Sequence, residues 1–112
     1  MDVKVEDVNG VAVVAVVGSI DSQTAPDLST ALGAQIASGK INLVADMSGV
    51  DYTSSAGLRA LLGSLKDSRS RGGDFRLAGI QSGVMRVLEM SGFTTILKSY
   101  ASVEQAVASF AG

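Results

Sequence analysis

Three consecutive hydroxyl side chains, Thr53-Ser54-Ser55, stand directly before a predicted helix. The first turn of a helix carries unpaired backbone N–H groups and a partial positive charge of about half an elementary unit, so it can hold an oxyanion. A serine at this point has two interpretations. It can be a plain N-cap, whose oxygen accepts a hydrogen bond from an amide of the first turn, or a phosphoacceptor that offers its hydroxyl to a kinase. The residue types alone leave both interpretations open.

The composition excludes several kinds of catalysis. The 112-residue chain has no His and no Cys, which excludes Ser–His and Cys–His nucleophile pairs and histidine metal ligands. A hydrolase in which a lysine activates Ser55 would need Lys66, which lies several turns further along the predicted helix and is badly placed. The usual phosphate-cradling glycine loops are also absent from the sequence. We therefore expect a protein that is not an enzyme and that has no cofactor or metal.

The charge and hydropathy patterns restrict the partners. The formal net charge is −2, and the one basic cluster, Lys66, Arg69 and Arg71, lies near a helix end where cations suit the helix dipole. Because no aromatic residues are interleaved with it, the cluster is weak evidence for nucleic acid binding. The longest apolar run, Val11–Val17, has seven residues, whereas a membrane span needs about 20. We expect a cytoplasmic protein without a signal peptide, nucleic acid partner or membrane insertion.

The amino-terminal half predicts a hairpin followed by a helix. The pair Asn9-Gly10 between two valines is typical of a tight primed turn. The run Val11–Val17 is apolar throughout, which predicts a strand covered on both faces. Thr24, followed by a proline and by Asp27, is typical of a helix start with Thr24 as the cap. The apolar stripe and the end of this helix are predicted at Leu28, Leu32, Ile36 and Gly39.

The rest of the chain predicts alternating strands and helices. Residues 41–45 form a short apolar run typical of a buried strand, and apolar spacing predicts a helix from about residue 56 to residue 71. Alternation predicts a short strand at Phe75 and Leu77, and Ile96-Leu97 is predicted as a short edge strand. Two further helices are indicated by Val84, Val87 and Leu88 before Gly92, and by a capping box of Ser102 and Gln105 before Val103, Ala106, Val107 and Phe110.

This order predicts an α/β fold with one mixed sheet of four to five strands and about four helices. An antiparallel hairpin comes first, and right-handed strand–helix–strand crossovers follow it, within a single domain over residues 1–112. Because loops that follow parallel strands meet at one edge of the sheet, residues 21–24 and 53–55 should lie close together. They would form an exposed patch of acids and hydroxyls without a neighbouring base. Asp21 there either caps a turn or positions a partner, and Thr24 is more readily a cap than a contact.

Four segments resemble one known family. The segment Val50-Asp-Tyr-Thr-Ser-Ser-Ala-Gly-Leu-Arg-Ala-Leu-Leu62 resembles the signature loop and helix of the STAS domain, the fold of bacterial anti-anti-sigma factors. The likeness extends to Gly18-Ser-Ile-Asp-Ser-Gln-Thr-Ala-Pro26, to Arg71-Gly-Gly-Asp-Phe-Arg-Leu77 and to Leu88-Glu-Met-Ser-Gly-Phe93. Together the segments cover nearly the whole chain in the order of the family.

The resemblance implies a partner switch. In such families the unmodified protein binds a serine kinase that is also an anti-sigma factor, and it thereby frees the sigma factor. The kinase uses ATP to phosphorylate a serine at the helix start, which separates the two proteins, and a metal-dependent serine phosphatase restores the first state. The matching serine is Ser55, two residues before Gly57. The residues expected to bind the partner are Asp21, Ser22, Thr24, Thr53, Ser54, Ala56, Gly57 and Arg59.

Three departures from the family pattern qualify this expectation. The family often has Asp before the acceptor, where this chain has Ser54, so Ser54 is a second candidate acceptor. It often has a second hydroxyl residue after the acceptor, where this chain has Ala56. Ser19 replaces a frequent Glu in the earlier loop. An alternative is a STAS adaptor that is never phosphorylated, such as the small subunit of a lipid-transport assembly.

Overall fold

The computed structural model describes residues 1–111 of the chain. Five strands form one sheet: β1 (Asp2–Val8), β2 (Val11–Val17), β3 (Asn42–Gly49), β4 (Asp74–Ala78) and β5 (Ser99–Tyr100). The helices are α1 (Ala25–Ala37), α2 (Ser55–Ser70), α3 (Ser82–Met90) and α4 (Val103–Ala108), with a 3-10 turn at Phe93–Thr95.

The strands lie in the order β1-β2-β3-β4-β5. β1 and β2 are antiparallel, whereas β2, β3, β4 and β5 are parallel to one another. This arrangement confirms the predicted α/β fold class with its amino-terminal hairpin. Among residues 1–111, no helix combines the length and the apolar character needed to cross a membrane.

The β1–β2 hairpin is closed by the predicted two-residue turn. Asn9 has φ 53° and Gly10 has φ 82°, and positive φ at both central residues is the mark of a type I′ turn. Gly10 N also donates a 3.1 Å hydrogen bond to Asp7 Oδ1. The turn pairs Val8 with Val11 and sets the register of the whole hairpin.

The sheet is covered on both faces. On one face, α1, α2 and α3 pack over the main core, to which β2 contributes Ala12, Val14 and Val16. On the other face, α4 packs with Ala106 and Val107 over a smaller cluster that includes Val11 and Val13. The alternation of β2 side chains between two cores explains its continuous apolar sequence, as predicted.

β3 is longer than the predicted strand at residues 41–45. It continues through Asp46, Met47 and Ser48 to Gly49, because Asp46 pairs with β2 and β4 on either side and Gly49 pairs with Val17. Met47 is fully buried in the main core. Asp and Gly are poor strand formers, so the extension depends on neighbouring strands rather than on local preference.

The prediction of an edge strand at Ile96-Leu97 was wrong. The amide groups of both residues donate to the Phe93 carbonyl, at 3.0 and 2.8 Å, so the chain turns there. Leu97 is buried in the main core. Pairing with β4 begins at Lys98, whose carbonyl accepts from the Leu77 amide, and β5 follows at Ser99–Tyr100.

Candidate functional site

The two predicted loops meet at the carboxyl ends of β2 and β3. Ile20 and Thr53 form a short parallel bridge. In it the Ile20 amide donates to the Tyr52 carbonyl at 2.9 Å, and the Ser54 amide donates to the Ile20 carbonyl at 2.8 Å. We call residues 18–24 and 50–55 together the two-loop edge. The adjacency predicted from parallel topology is therefore present in the structure.

Asp21 and Thr24 exchange hydrogen bonds in the turn that precedes α1. Asp21 Oδ1 accepts hydrogen bonds from the Gln23 amide at 2.9 Å and from the Thr24 amide at 3.0 Å. In return, Thr24 Oγ1 accepts from the Asp21 amide at 2.9 Å and donates to the Ser19 carbonyl. The amide of Thr24, then that of Gln23, hold the pKa of Asp21 below its ordinary value, because they favour the ionised carboxylate.

The predicted Thr24 cap needs a correction. Thr24 occupies the position before α1, but its side chain accepts no bond from the first turn of that helix. The Ala25 amide instead donates to the Asp21 carbonyl at 2.8 Å, so a turn precedes the helix and Asp21 is the residue that caps it. Asp21 was left open between a turn cap and a partner contact, and the structure gives it the capping bonds.

The start of α2 packs tightly on the bridge between the loops. Thr53 is 3% exposed and Gly57 is also buried. A Cβ built on Gly57 would lie 2.2 Å from Thr53 Oγ1 and 2.7 Å from Ile20 Cγ2, a separation that side chains do not tolerate. Of the residues expected to bind a partner, these two therefore shape the edge from below instead of lying on its surface.

Ser54 and Ser55 have different environments. Ser54 is the N-cap of α2, and its half-buried hydroxyl accepts a 3.4 Å hydrogen bond from the Gly57 amide. Ser55 is the first residue of α2 and is exposed. Within residues 1–111 its hydroxyl forms no hydrogen bond to another side chain or to the backbone. Ser54 therefore matches the N-cap interpretation, whereas the hydroxyl of Ser55 is left accessible.

The surface around Ser55 combines small, polar and charged side chains. Arg59 is exposed one turn after Ser55, and it takes part in no ion pair among residues 1–111. A shallow groove of about 300 Å³ runs from this point between α1 and α2. Its lining residues are Ser22, Ala25, Pro26, Ser29, Ala56, Arg59 and Ala60.

The structure adds residues to this surface that the sequence did not single out. Tyr52 is 52% exposed next to the bridge. Asp51 is exposed as well, and it accepts a 2.9 Å hydrogen bond from the Ser19 hydroxyl across the two loops. A large aromatic residue in a loop between two polar ones is a signal that could have identified Tyr52 as a surface contact.

In the part of the chain that the structure describes, no cluster of metal-ligating side chains accompanies these hydroxyls. Residues 1–111 contain no group of three or more acidic side chains that could hold a metal ion. The basic cluster is partly neutralised, since Arg69 pairs with Asp74 at 3.0 Å and Arg71 pairs with Asp67 at 3.2 Å. The edge offers an accessible hydroxyl group, that of Ser55, on a surface with exposed Asp51 and Arg59.

The chain is similar to one protein family and to relatives that bear the name of anti-sigma factor antagonists. The STAS domain model matches residues 2–106. BtrV of Bordetella bronchiseptica, which bears the name of an anti-sigma factor antagonist, is 34% identical over 110 residues, which are 98% of this chain and 95% of BtrV. The anti-sigma-B factor antagonist of Listeria monocytogenes is 32% identical over 83 residues, which are 74% of this chain and 73% of that protein.

Solved structures also share this fold. An anti-sigma factor antagonist from Mycobacterium paratuberculosis has a TM-score of 0.85 at 29% identity and covers 96% of this chain and 92% of that chain. A protein of Thermotoga maritima has a TM-score of 0.90 at 21% identity, again over 96% of this chain and 92% of that chain. The second likeness is one of fold alone.

Proposed function

Because the chain belongs to the STAS domain family, we propose that it is an anti-sigma factor antagonist that works by partner switching. The unmodified chain binds an anti-sigma factor that is also an ATP-dependent serine kinase. Phosphorylation of Ser55 by that kinase ends the complex, and a metal-dependent serine phosphatase restores the unmodified state. The names of the relatives with more than 30% identity support the general role.

The observation that carries the choice of acceptor is the difference between Ser55 and Ser54. Ser55 is exposed and its hydroxyl is not engaged within residues 1–111, so a kinase can reach it without disturbing the fold. The hydroxyl of Ser54 is half-buried and caps α2 through the Gly57 amide. The Ser54 hydroxyl would have to leave this bond to reach a kinase, whereas the Ser55 hydroxyl is already accessible.

The chemistry of the step needs little from this chain. The γ-phosphoryl group of ATP is transferred to Ser55 Oγ, ADP leaves, and a base on the kinase takes the hydroxyl proton, since no base among residues 1–111 is hydrogen-bonded to Ser55. The product carries about 1.5 to 2 negative charges at neutral pH. At the amino terminus of α2 these charges gain about 0.3–1 kcal/mol from the helix dipole. The domain should therefore stay folded when it is phosphorylated.

The same charge is unfavourable inside a protein interface. A partner that docks over Ser55 would have to remove water from the phosphate, and leaving a charge buried and unpaired costs on the order of 2–5 kcal/mol. Because about 1.4 kcal/mol corresponds to a tenfold change in affinity, this cost is sufficient to dissolve a micromolar complex. The switch then acts by local repulsion at the two-loop edge, without refolding.

The partner surface consists of the exposed and half-buried residues around Ser55. Asp21 and Thr24 hold the first loop in place, and Thr53 and Gly57 support the second from the core. The residues that contact the partner directly are Ser22, Ala56 and Arg59, and Ser54 lies at the margin of this surface. Tyr52 adds an exposed aromatic side chain of the type that often anchors interfaces.

A pull-down from cells of the source organism tests this function. The bait proteins are the unmodified chain, Ser55→Ala, Ser55→Asp and the matched control Ser82→Asp, in which the substituted serine is the exposed first residue of α3. We expect Ser55→Ala and Ser82→Asp to capture a kinase that Ser55→Asp does not. Equal capture by all four baits would contradict the switch. Absence of a kinase, together with absence of phosphate on the protein from its own cells, would favour the adaptor alternative.

A further inference from the structure

The β1 strand leaves one long edge of the sheet open. The opposite edge, β5, has only two residues, whereas β1 has seven. Five of these seven residues are exposed, and Val5 is 45% exposed. An open strand edge presents unpaired N–H and C=O groups that can pair with another strand.

The hairpin turn determines which β1 groups point outward. In a two-residue turn the carbonyl of the residue before it accepts from the amide of the residue after it, so Val8 and Val11 are a hydrogen-bonded pair. Hydrogen-bonded and non-hydrogen-bonded pairs alternate along an antiparallel ladder. Given the observed register, the backbone groups of Val3, Val5 and Asp7 therefore point away from β2, toward the open edge.

Two of the four charged residues of β1, Lys4 and Glu6, are complementary to each other about Val5. Lys4 and Glu6 flank Val5, are exposed, and take part in no ion pair among residues 1–111. A two-fold axis through Val5 would place each Lys4 directly opposite Glu6 of a second copy. These positions are non-hydrogen-bonded pairs of the new ladder, in which facing side chains come closest.

Other registers lack this complementarity over the whole strand. Centring the pair on Lys4 or on Glu6 sets that charge against its own copy. A parallel pair in register would place Lys4 opposite Lys4 and Glu6 opposite Glu6 of the second copy. Centring on Val3 uses only the first residues of the strand and leaves its end unpaired. Only the register centred on Val5 pairs all seven residues and satisfies both charges.

We propose that β1 binds β1 of a second copy of this chain, antiparallel and centred on Val5, so that the two sheets join into one. The pairing covers Val5 with its own copy and brings Lys4 to Glu6. Glu6 also lines a groove with Glu104 of α4, in which no lining residue is cationic. The incoming Lys4 therefore meets an acidic surface.

The geometry of this dimer keeps the two-loop edges free. β1 is antiparallel to β2, so its first residue, Asp2, lies beside Val17 at the end of β2 that leads into the first loop. Because the two β1 strands run antiparallel about the two-fold axis, the two-loop edges of the two copies face in opposite directions. A single strand edge buries far less than the roughly 1,200–2,000 Å² of a stable complex, so we expect weak association that depends on concentration.

Sedimentation velocity over a dilution series of the full chain tests the proposal through charge swaps. Lys4→Glu and Glu6→Lys each set like charges opposite each other in both pairs, and we expect each alone to weaken self-association about tenfold or more. An equimolar mixture of the two variants restores both opposite-charge pairs, so it should associate more strongly than either variant alone. The double variant Lys4→Glu/Glu6→Lys should do so as well.

Both side chains are exposed, so the variants should keep the fold, and circular dichroism checks this. A chain that is monomeric at every concentration would overturn the proposal, as would association that is unchanged in the single variants. A mixture that associates no better than either variant alone would also overturn it. The test involves neither Ser55 nor a kinase, so its outcome is independent of the proposed function.

Discussion

A Cβ built on Gly57 would lie 2.2 Å from Thr53 Oγ1, so only glycine fits where α2 rests on the bridge between the two loops. This contact joins the helix that carries Ser55 to the loop that precedes it. It also fixes the direction in which the first turn of α2 faces. The position of Ser55 at the surface thus depends on a glycine two residues away.

We expect Gly57→Ala to lower the free energy of unfolding by about 1–3 kcal/mol, the usual cost of overpacking, despite the better helix propensity of alanine. Gly63→Ala is the matched control within α2, because a Cβ there meets no atom within 4 Å. That variant should gain up to about 1 kcal/mol from helix propensity. Urea unfolding of both variants measures the difference. Equal effects at the two positions would show that the close contact is not important for stability.

The two serines should differ in stability effects. Ser54→Ala removes the cap of α2 and should lower the free energy of unfolding by about 0.5–1 kcal/mol, at the low end for caps because the bond is 3.4 Å long. Ser55→Ala removes a hydroxyl that makes no hydrogen bond within residues 1–111. This variant should change the free energy of unfolding by less than about 0.5 kcal/mol. Chemical denaturation compares them. A larger loss for Ser55→Ala would reverse the assignment of cap and acceptor.

Incubation with the captured kinase and labelled ATP should show which of the two serines accepts phosphate. We expect Ser55→Ala to take up no phosphate, whereas Ser54→Ala should retain a phosphorylated site because the Ser55 hydroxyl is still exposed. Peptide mapping by mass spectrometry identifies the modified residue. Phosphate on Ser54 in the Ser55→Ala protein would make Ser54 the acceptor and contradict the proposal.

Charge alone should be enough to weaken the complex. Ser55→Asp should bind the kinase at least tenfold more weakly than the unmodified chain, since a carboxylate also has to lose water at the interface. Its melting temperature should change little, because a negative charge suits the amino terminus of α2. Calorimetric titration and thermal unfolding measure the two quantities, with Ser82→Asp as the control. Similar affinities for both aspartate variants would exclude local repulsion.

Asp21 should contribute a pH dependence to stability. Its pKa is lower in the folded chain than in the unfolded one, so the unfolded state binds the proton at higher pH and stability rises with pH in this range. The contribution is present above the ordinary aspartate pKa of about 3.9 and is lost as the pH falls through the folded value. Asp21→Asn keeps an oxygen acceptor without the charge. The stability of Asp21→Asn should therefore depend less on pH below about 5, and an unchanged profile would contradict the role of the capping bonds.

Local patterns in the sequence were sufficient for most of the fold. The pair Asn9-Gly10 predicts its turn because the required positive φ angles are an intrinsic preference of those residues. The apolar stripe of α1 and the alternation of β4 predict buried faces because the periods of helices and strands are properties of the backbone. The loop and helix at residues 50–62 were sufficient to suggest the family because that motif is continuous in sequence.

The tertiary structure was needed wherever a residue had more than one possible partner. Thr24 and Asp21 are both good caps, and the turn before α1 gave the capping bonds to Asp21. Ser54 and Ser55 are chemically identical neighbours, and the bridge of Ile20 to Thr53 oriented α2 so that one is a cap and the other is exposed. Such choices depend on groups distant along the chain, whose positions are set only when the sheet has assembled. For that reason the sequence by itself determined most of the elements and their order, and the folded structure decided the last strand, the length of β3, and which hydroxyl and which strand edge remain available.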